Sequence, residues 1–135
     1  MPRLMIVDDE PEITAMLKRY FAREGYETVT ALTGAEALRK LRCAPDMVLL
    51  DVNLPDMDGF AVCRALREHL DCPVLFLTAR VEDADKISGF ACGGDDYVLK
   101  PFSIDELGAR VAAHLRRETR RARAAVVRMD GGLAI

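Results

Sequence analysis

The chain has 135 residues, enough for one ordinary domain and too few for two of full size. It is 50% hydrophobic and 30% charged, which excludes global disorder, and no apolar run approaches the roughly 18 residues of a membrane span. The net charge of -3 conceals a split: residues 1–100 carry 12 basic and 18 acidic groups, whereas residues 101–135 carry 7 and 4, a balance unlike that of a nucleic-acid-binding domain in its own right.

The first predicted element is the buried strand Leu4-Met5-Ile6-Val7, which meets carboxylates at Asp8, too early for a secretory signal. Ile13, Met16, Leu17, Tyr20 and Phe21 then follow the spacing of one helical face, and Gly25 stops that helix. Thr28 to Ala31 form a weaker second strand. Thr33 with Glu36 reads as a capping box, opening a helix whose apolar face is Ala37, Leu38 and Leu41. Met47 to Leu50 is a third strand, ending at Asp51. A loop with Pro55 and Gly59 leads to a helix over Phe60 to His69.

Val74 to Leu77 is the fourth strand, ending at Thr78. A polar helix over Asp83 to Cys92 contains Gly89, which weakens it and suits a moving part. Tyr97 to Leu99 is the fifth strand, ending at Lys100-Pro101. Ser103 with Glu106 is a second capping box, ahead of a helix facing inward through Leu107, Val111 and Leu115. After Leu115 a basic helical extension runs to Arg123. Residues 126–135 then restart a strand–turn–strand pattern, expected to be a linker and the opening of a further domain of a longer protein. Cys43, Cys63, Cys72 and Cys92 have no C-x-x-C spacing and are expected to be reduced, mostly buried thiols of a cytoplasmic protein.

Strands that are apolar throughout belong to a parallel sheet covered on both faces. Five strands alternating with five helices therefore predict an α/β fold, a three-layer (βα)5 doubly wound sheet. In such sheets, ligands bind beyond the carboxyl ends of the strands, where strand order reverses. With the order 2-1-3-4-5, the first and third strands straddle that point. Asp8, Asp9, Asp51, Thr78 and Lys100, all at strand ends, then converge on one pocket. Three carboxylates packed together repel, and a hard divalent cation relieves them. Oxygen donors without His or Cys select Mg²⁺ rather than zinc. A carboxylate, a lysine for phosphate oxygens, a hydroxyl and Mg²⁺ are the parts needed to place a phosphoryl group on an aspartate.

The runs Asp8-Asp9-Glu10, Asp51-Val52-Asn53-Leu54-Pro55-Asp56-Met57-Asp58-Gly59, Thr78-Ala79 and Gly94 to Phe102 resemble the receiver domain of bacterial two-component response regulators, over about residues 3–120. The resemblance implies that Asp51 is the phosphoacceptor. It implies that Asp8 and Asp9 hold Mg²⁺ with Asp51 and the backbone carbonyl of Asn53. It gives Thr78 and Lys100 to the phosphoryl oxygens, and makes the Lys100-Pro101 bond cis. Asn53 and Arg80 lie where the family tunes the lifetime of the phosphoryl group. Asp95-Asp96-Tyr97, Glu106-Leu107 with Arg110, and Gly132-Leu133 with Ile135 fit the OmpR/PhoB-like class, with a receiver at 1–120 and the start of a winged-helix DNA-binding domain at 121–135.

That class implies a sensor histidine kinase as donor, a homodimer on phosphorylation and DNA binding through the further domain. It implies no membrane partner and no turnover of an external metabolite. Thr78 and Tyr97 are the expected switch residues. Lys86 with Glu106, and Asp96 with Arg110, match cross-subunit ion pairs, and Ile87 an apolar patch. Gly94, where the class more often has Ala, is expected to loosen the turn before the fifth strand. Three other readings fit less well. An aspartate-nucleophile phosphatase wants an acid where Asn53 stands. A flavodoxin-like carrier wants Gly, Ser or Thr where Asp8 to Pro11 stand. A stand-alone receiver would lack the basic extension.

Overall fold

The computed structural model describes residues 1–80 and 94–134, with side chains as far as residue 120. The polar helix expected over residues 83–92, with Lys86, Ile87 and Cys92, lies outside the described residues. In chain order the elements are β1 (Arg3–Val7), α1 (Pro11–Arg23), β2 (Glu27–Ala31), α2 (Gly34–Arg39), a 3-10 turn (Lys40–Cys43), β3 (Met47–Asp51), α3 (Gly59–Leu66), β4 (Val74–Thr78), β5 (Asp96–Leu99) and a C-terminal helix (Ile104–Ala134). All strand pairs are parallel, in the order β2-β1-β3-β4-β5. The expected sheet is therefore present.

Each apolar strand divides its residues between two cores, as the two-residue period of a strand requires. Met5, Val7, Val48, Leu50 and Phe76 face α2 and α3, against Ala37, Val62 and Leu66. Leu4, Ile6, Leu49, Leu75, Leu77 and Val98 face the other way, onto Leu17 and Phe21 of α1 and Leu107 and Val111 of the C-terminal helix. β1, β3 and β4 are buried almost without exception, which is why they read as unbroken apolar runs.

The helix ends follow the residue chemistry. The Thr33 hydroxyl accepts the Glu36 N–H at 3.0 Å, but the Glu36 carboxylate turns to Lys40 instead of closing the box. The Asp58 carboxylate accepts the Phe60 N–H at 2.7 Å and so starts α3. Ser103 Oγ accepts the Glu106 N–H at 3.3 Å.

Several expectations need correction. On α1, Leu17 and Phe21 are buried and Ile13 and Tyr20 pack beside them as expected, but Met16 is exposed and Thr14 is buried instead. The Thr14 hydroxyl reaches back to the Asp8 and Glu10 carbonyls, which lets a polar residue turn inward. Residues 126–134 are helical, a continuation of the C-terminal helix, and not strand. Alanine and arginine are strong helix formers, extending a formed helix costs little, and a strand–turn–strand gains little without a sheet to join. Gly94 has a packing role: a Cβ there would stand 2.3 Å from the Phe76 ring, so the missing side chain makes room for an aromatic one. Among the described cysteines Cys63 is buried, Cys43 and Cys72 are partly so, and all three are free thiols.

Candidate functional site

Register brings the polar strand ends together. Val7 lies beside Leu50, Asp51 beside Leu77, and Thr78 beside Leu99. Asp8, Asp51, Thr78 and Lys100 therefore emerge along one carboxyl edge of the sheet.

Lys100 is the hub. Its Nζ donates to Asp8 Oδ2 at 2.8 Å and to Asp51 Oδ2 at 3.4 Å. All three side chains are enclosed, Asp8 completely. The Lys100-Pro101 peptide is cis, as the resemblance implies, and the Lys100 N–H donates to the Thr78 carbonyl at 2.7 Å. The other oxygens of the two acids are held by backbone. Asp8 Oδ1 accepts the Glu10 N–H at 2.9 Å, and Asp51 Oδ1 accepts the Asn53 N–H at 3.0 Å. Both carboxylates are thus fixed in place before any ligand arrives.

Burial dominates the electrostatics of Asp51. It pushes the carboxyl up from 3.8 to about 6, with the nearby Asp8 charge adding to the rise, while the Asn53 N–H and Lys100 only partly offset it. Burial alone would pull Lys100 down, but the hydrogen bond to Asp8 and the charges of Asp51 and Asp8 outweigh it, and the ammonium is stabilised above its ordinary 10.5.

Asp8, Asp9 and Glu10 each present an oxygen within 4.8 Å of the others. Asp9 also lines a cavity of about 240 Å³ with Asn53, Asp58, Phe60 and Arg80. The donors are carboxylate oxygens. The acids of the site outnumber the Lys100 ammonium, and the Asp8 charge adds to the rise that burial causes at Asp51. That chemistry fits a hard divalent cation such as Mg²⁺, to which Asp8, Asp9 and Glu10 could offer oxygens.

Some expected residues stand further off. Thr78 is fully buried, and its hydroxyl accepts the Arg80 N–H at 3.1 Å in a local turn. Tyr97 is half-buried, packed against the α2–α3 core beside its register partner Phe76. Asp96 and Arg110, expected to pair across subunits, pair within this chain at 3.1 Å, because β5 and the C-terminal helix bring them side by side. Asp96 also meets His114 Nε2 at 3.0 Å, and Arg110 meets Glu106. Burial pushes Asp96 up, but hydrogen bonds from His114, the Tyr97 N–H and Arg110 outweigh it and hold the carboxyl below the usual range. Sequence reasoning missed Glu10 as a member of the acidic cluster, although its place beside Asp8-Asp9 was a signal. It also missed the His114 contact, although His114 stands one helical turn after Arg110 and so on the same face.

Comparison with known proteins agrees with this geometry. Residues 4–112 match the response regulator receiver domain family. The chain is 47% identical over 116 residues to the transcriptional regulatory protein YvrH of Bacillus subtilis, covering 84% of this chain and 49% of that protein. It spans about half the length of the curated relatives it matches. Among solved structures, the response regulator TrrA of Thermotoga maritima in complex with Mg²⁺ and BeF superposes with a TM-score of 0.75 at 38% identity, over 84% of this chain and 98% of that one. The regulator DrrB of Thermotoga maritima, an OmpR/PhoB homolog, gives 0.78 at 37% identity, over 87% of this chain and 54% of that one.

Proposed function

This chain belongs to the response regulator receiver domain family, and from that premise we propose that it is a phosphorylation switch whose phosphoacceptor is Asp51. One observation carries the reading: a single ammonium, Lys100, lies between a fully buried Asp8 and a nearly buried Asp51 that burial keeps hard to charge.

Asp51 Oδ attacks the phosphorus of a donor phosphohistidine on a sensor kinase; the new O–P bond forms as the donor N–P bond breaks. The Asn53 N–H holds one Asp51 oxygen and so aims the other. Lys100 exchanges its contact with Asp51 for one with the incoming phosphoryl oxygens, staying anchored by Asp8. Mg²⁺, which Asp8, Asp9, Asp51 and the Asn53 carbonyl would hold, would supply positive charge against the phosphoryl oxygens and between the acids. The Thr78 hydroxyl leaves its turn with Arg80 for a phosphoryl oxygen, and Tyr97 follows inward. Arg80 and Asn53, on the rim of the same cavity, are placed to set the lifetime of the acyl phosphate.

The expected result is a gain of one phosphoryl mass per chain when wild type meets a small phosphodonor and Mg²⁺, read by intact-mass spectrometry. A wild type that gains none would reject the reading.

The output is proposed to be a two-fold dimer that acts on DNA through a C-terminal winged-helix domain of the longer protein, beyond a receiver at 1–120 and a link at 121–135. The names of the relatives as transcriptional regulators, and the half of their length that this chain spans, support it. No described helix is long and apolar enough to cross a membrane, which accords with a cytoplasmic switch. In forming the dimer, Asp96 exchanges its own Arg110 for that of a partner, beside Glu106. Exposed pairs of this kind contribute about 0–1 kcal/mol each, so they set register more than strength. Arg110→Glu is expected to abolish the phosphorylation-dependent dimer in analytical ultracentrifugation; a retained dimer would reject this face.

A further inference from the structure

We infer that Asp56 is a positioning residue for the phosphorylation site: by tying the tip of the β3–α3 loop to the first turn of α2, it holds the Asn53 carbonyl where the metal needs it. The inference rests on the Mg²⁺-dependent reading of Asp51 given above.

The loop is pinned at its base. The Asn53 N–H bonds Asp51, Asn53 and Asp58 form an isolated antiparallel bridge, and the Gly59 N–H donates to the Val52 carbonyl at 2.7 Å. Those ties fix where the loop leaves β3 and where it enters α3. Leu54 and Met57 pack against the α2–α3 core, and the exposed tip between them takes a further restraint.

Asp56 supplies that restraint. One carboxylate oxygen accepts the Gly34 N–H at 2.8 Å and the other accepts the Ala35 N–H at 2.9 Å, across more than twenty residues of sequence. Hydrogen bonds from Ala35 and Gly34 hold the carboxyl below the ordinary carboxylate range although it is open to solvent. The contact is shaped on both sides. Gly34 has no Cβ, and one placed there would stand 2.5 Å from Met57 Cγ and 2.9 Å from Val62 Cγ2. The α2 end therefore receives the loop by backbone donors and by close approach together.

The anchor itself is firm. Ala37 of α2 is buried in the core, and Lys40, at the far end of α2, bonds the Thr30 carbonyl of β2 at 2.6 Å. A restraint therefore runs from the loop tip, three residues beyond Asn53, through α2 to the sheet. Ligands must be held to about half an ångström to bind well, and their supporting contacts are part of the affinity.

A purely structural cap on α2 would predict only a loss of stability. The positioning role predicts a loss of metal affinity as well. The test titrates Mg²⁺ by calorimetry into wild type, Asp56→Asn, Asp56→Ala and Gly34→Ala, with metal-free melting and phosphoryl uptake at saturating Mg²⁺ measured alongside. Asp56→Ala is expected to weaken Mg²⁺ binding about tenfold. Asp56→Asn, which keeps one acceptor oxygen and gives up the charge, is expected to weaken it less. Gly34→Ala, which wedges Met57 from the other side without touching the carboxylate, is expected to weaken it too. Uptake at saturating metal returns to the wild-type rate. Wild-type affinity in the folded Asp56→Asn and Gly34→Ala proteins, whatever their melting temperatures, would overturn the inference and leave the reading of Asp51 intact. A wild type that binds no Mg²⁺ would reject that reading and the inference with it.

Discussion

Asp51→Asn is expected to lose phosphoryl uptake entirely and, in the same step, to melt at a higher temperature than wild type at neutral pH. The nucleophile is an ionised carboxylate, and an amide offers no oxyanion to attack phosphorus. The gain in stability follows from the same burial that makes the residue useful. Folding raises the carboxyl from 3.8 to about 6, so the fold binds that proton more tightly than the unfolded chain does. The native state of wild type is therefore at a disadvantage wherever Asp51 is charged, in full above about pH 6 and not at all below about pH 4. A rise of this size carries about 3 kcal/mol, at about 1.4 kcal/mol per pKa unit, and that bounds the gain. The difference between variant and wild type should shrink as pH falls from 7 toward 4. Urea denaturation of both proteins over that range checks it; a variant less stable than wild type at pH 7 would mean that Lys100 holds Asp51 more firmly than burial penalises it.

Lys100→Met has the opposite sign. Its ammonium is the buried partner of Asp8 and Asp51, at 2.8 and 3.4 Å, and removing one member of a buried pair leaves uncompensated charge. A loss of about 3 kcal/mol is expected at neutral pH. Because the Lys100 pKa is raised, its contribution is complete below the ordinary value of 10.5 and fades only in more alkaline solution, so the whole effect is present at pH 7. Acid lessens the damage, since Asp51 then takes up a proton. Mg²⁺ lessens it as well, by supplying the missing positive charge. Melting curves with and without Mg²⁺ should therefore converge on wild type in the presence of metal. Phosphoryl uptake should not recover: a positioned cation aimed at developing phosphoryl charge is worth about a hundredfold in rate. Uptake at the wild-type rate in the metal-restored variant would remove Lys100 from the chemistry.

The fold and the convergence of the site were legible because both depend on regularities of a parallel sheet. Unbroken apolar runs at Leu4 to Val7, Met47 to Leu50 and Val74 to Leu77 mark strands covered on both sides, and the polar residue ending each run marks the same edge. What was not legible depends on tertiary contact. Thr14 faces inward because the backbone carbonyls of Asp8 and Glu10 satisfy its hydroxyl; the Glu10 bond is the usual back-bond of a helical threonine, but helical spacing does not encode the one to Asp8. Asp56 reads as one more polar loop residue until α2 is seen across from it. Asp96 and Arg110 look equally suited to pairing within or between chains, and His114 adds a third member from the next turn of the helix. The strand pattern after Val126 misled because alternation in a short segment has no meaning without a sheet edge, and a helix already running through Arg116 had only to continue.

Locating the phosphoryl group chemically is the most direct trial of the role given to Asp51. Wild type is incubated with a small phosphodonor and Mg²⁺, reduced with borohydride to convert an aspartyl phosphate to homoserine, and mapped by peptide mass spectrometry. Homoserine at position 51, absent when the metal is chelated, is the predicted result. Reduction at any other aspartate, or at position 51 to the same extent without metal, would contradict it.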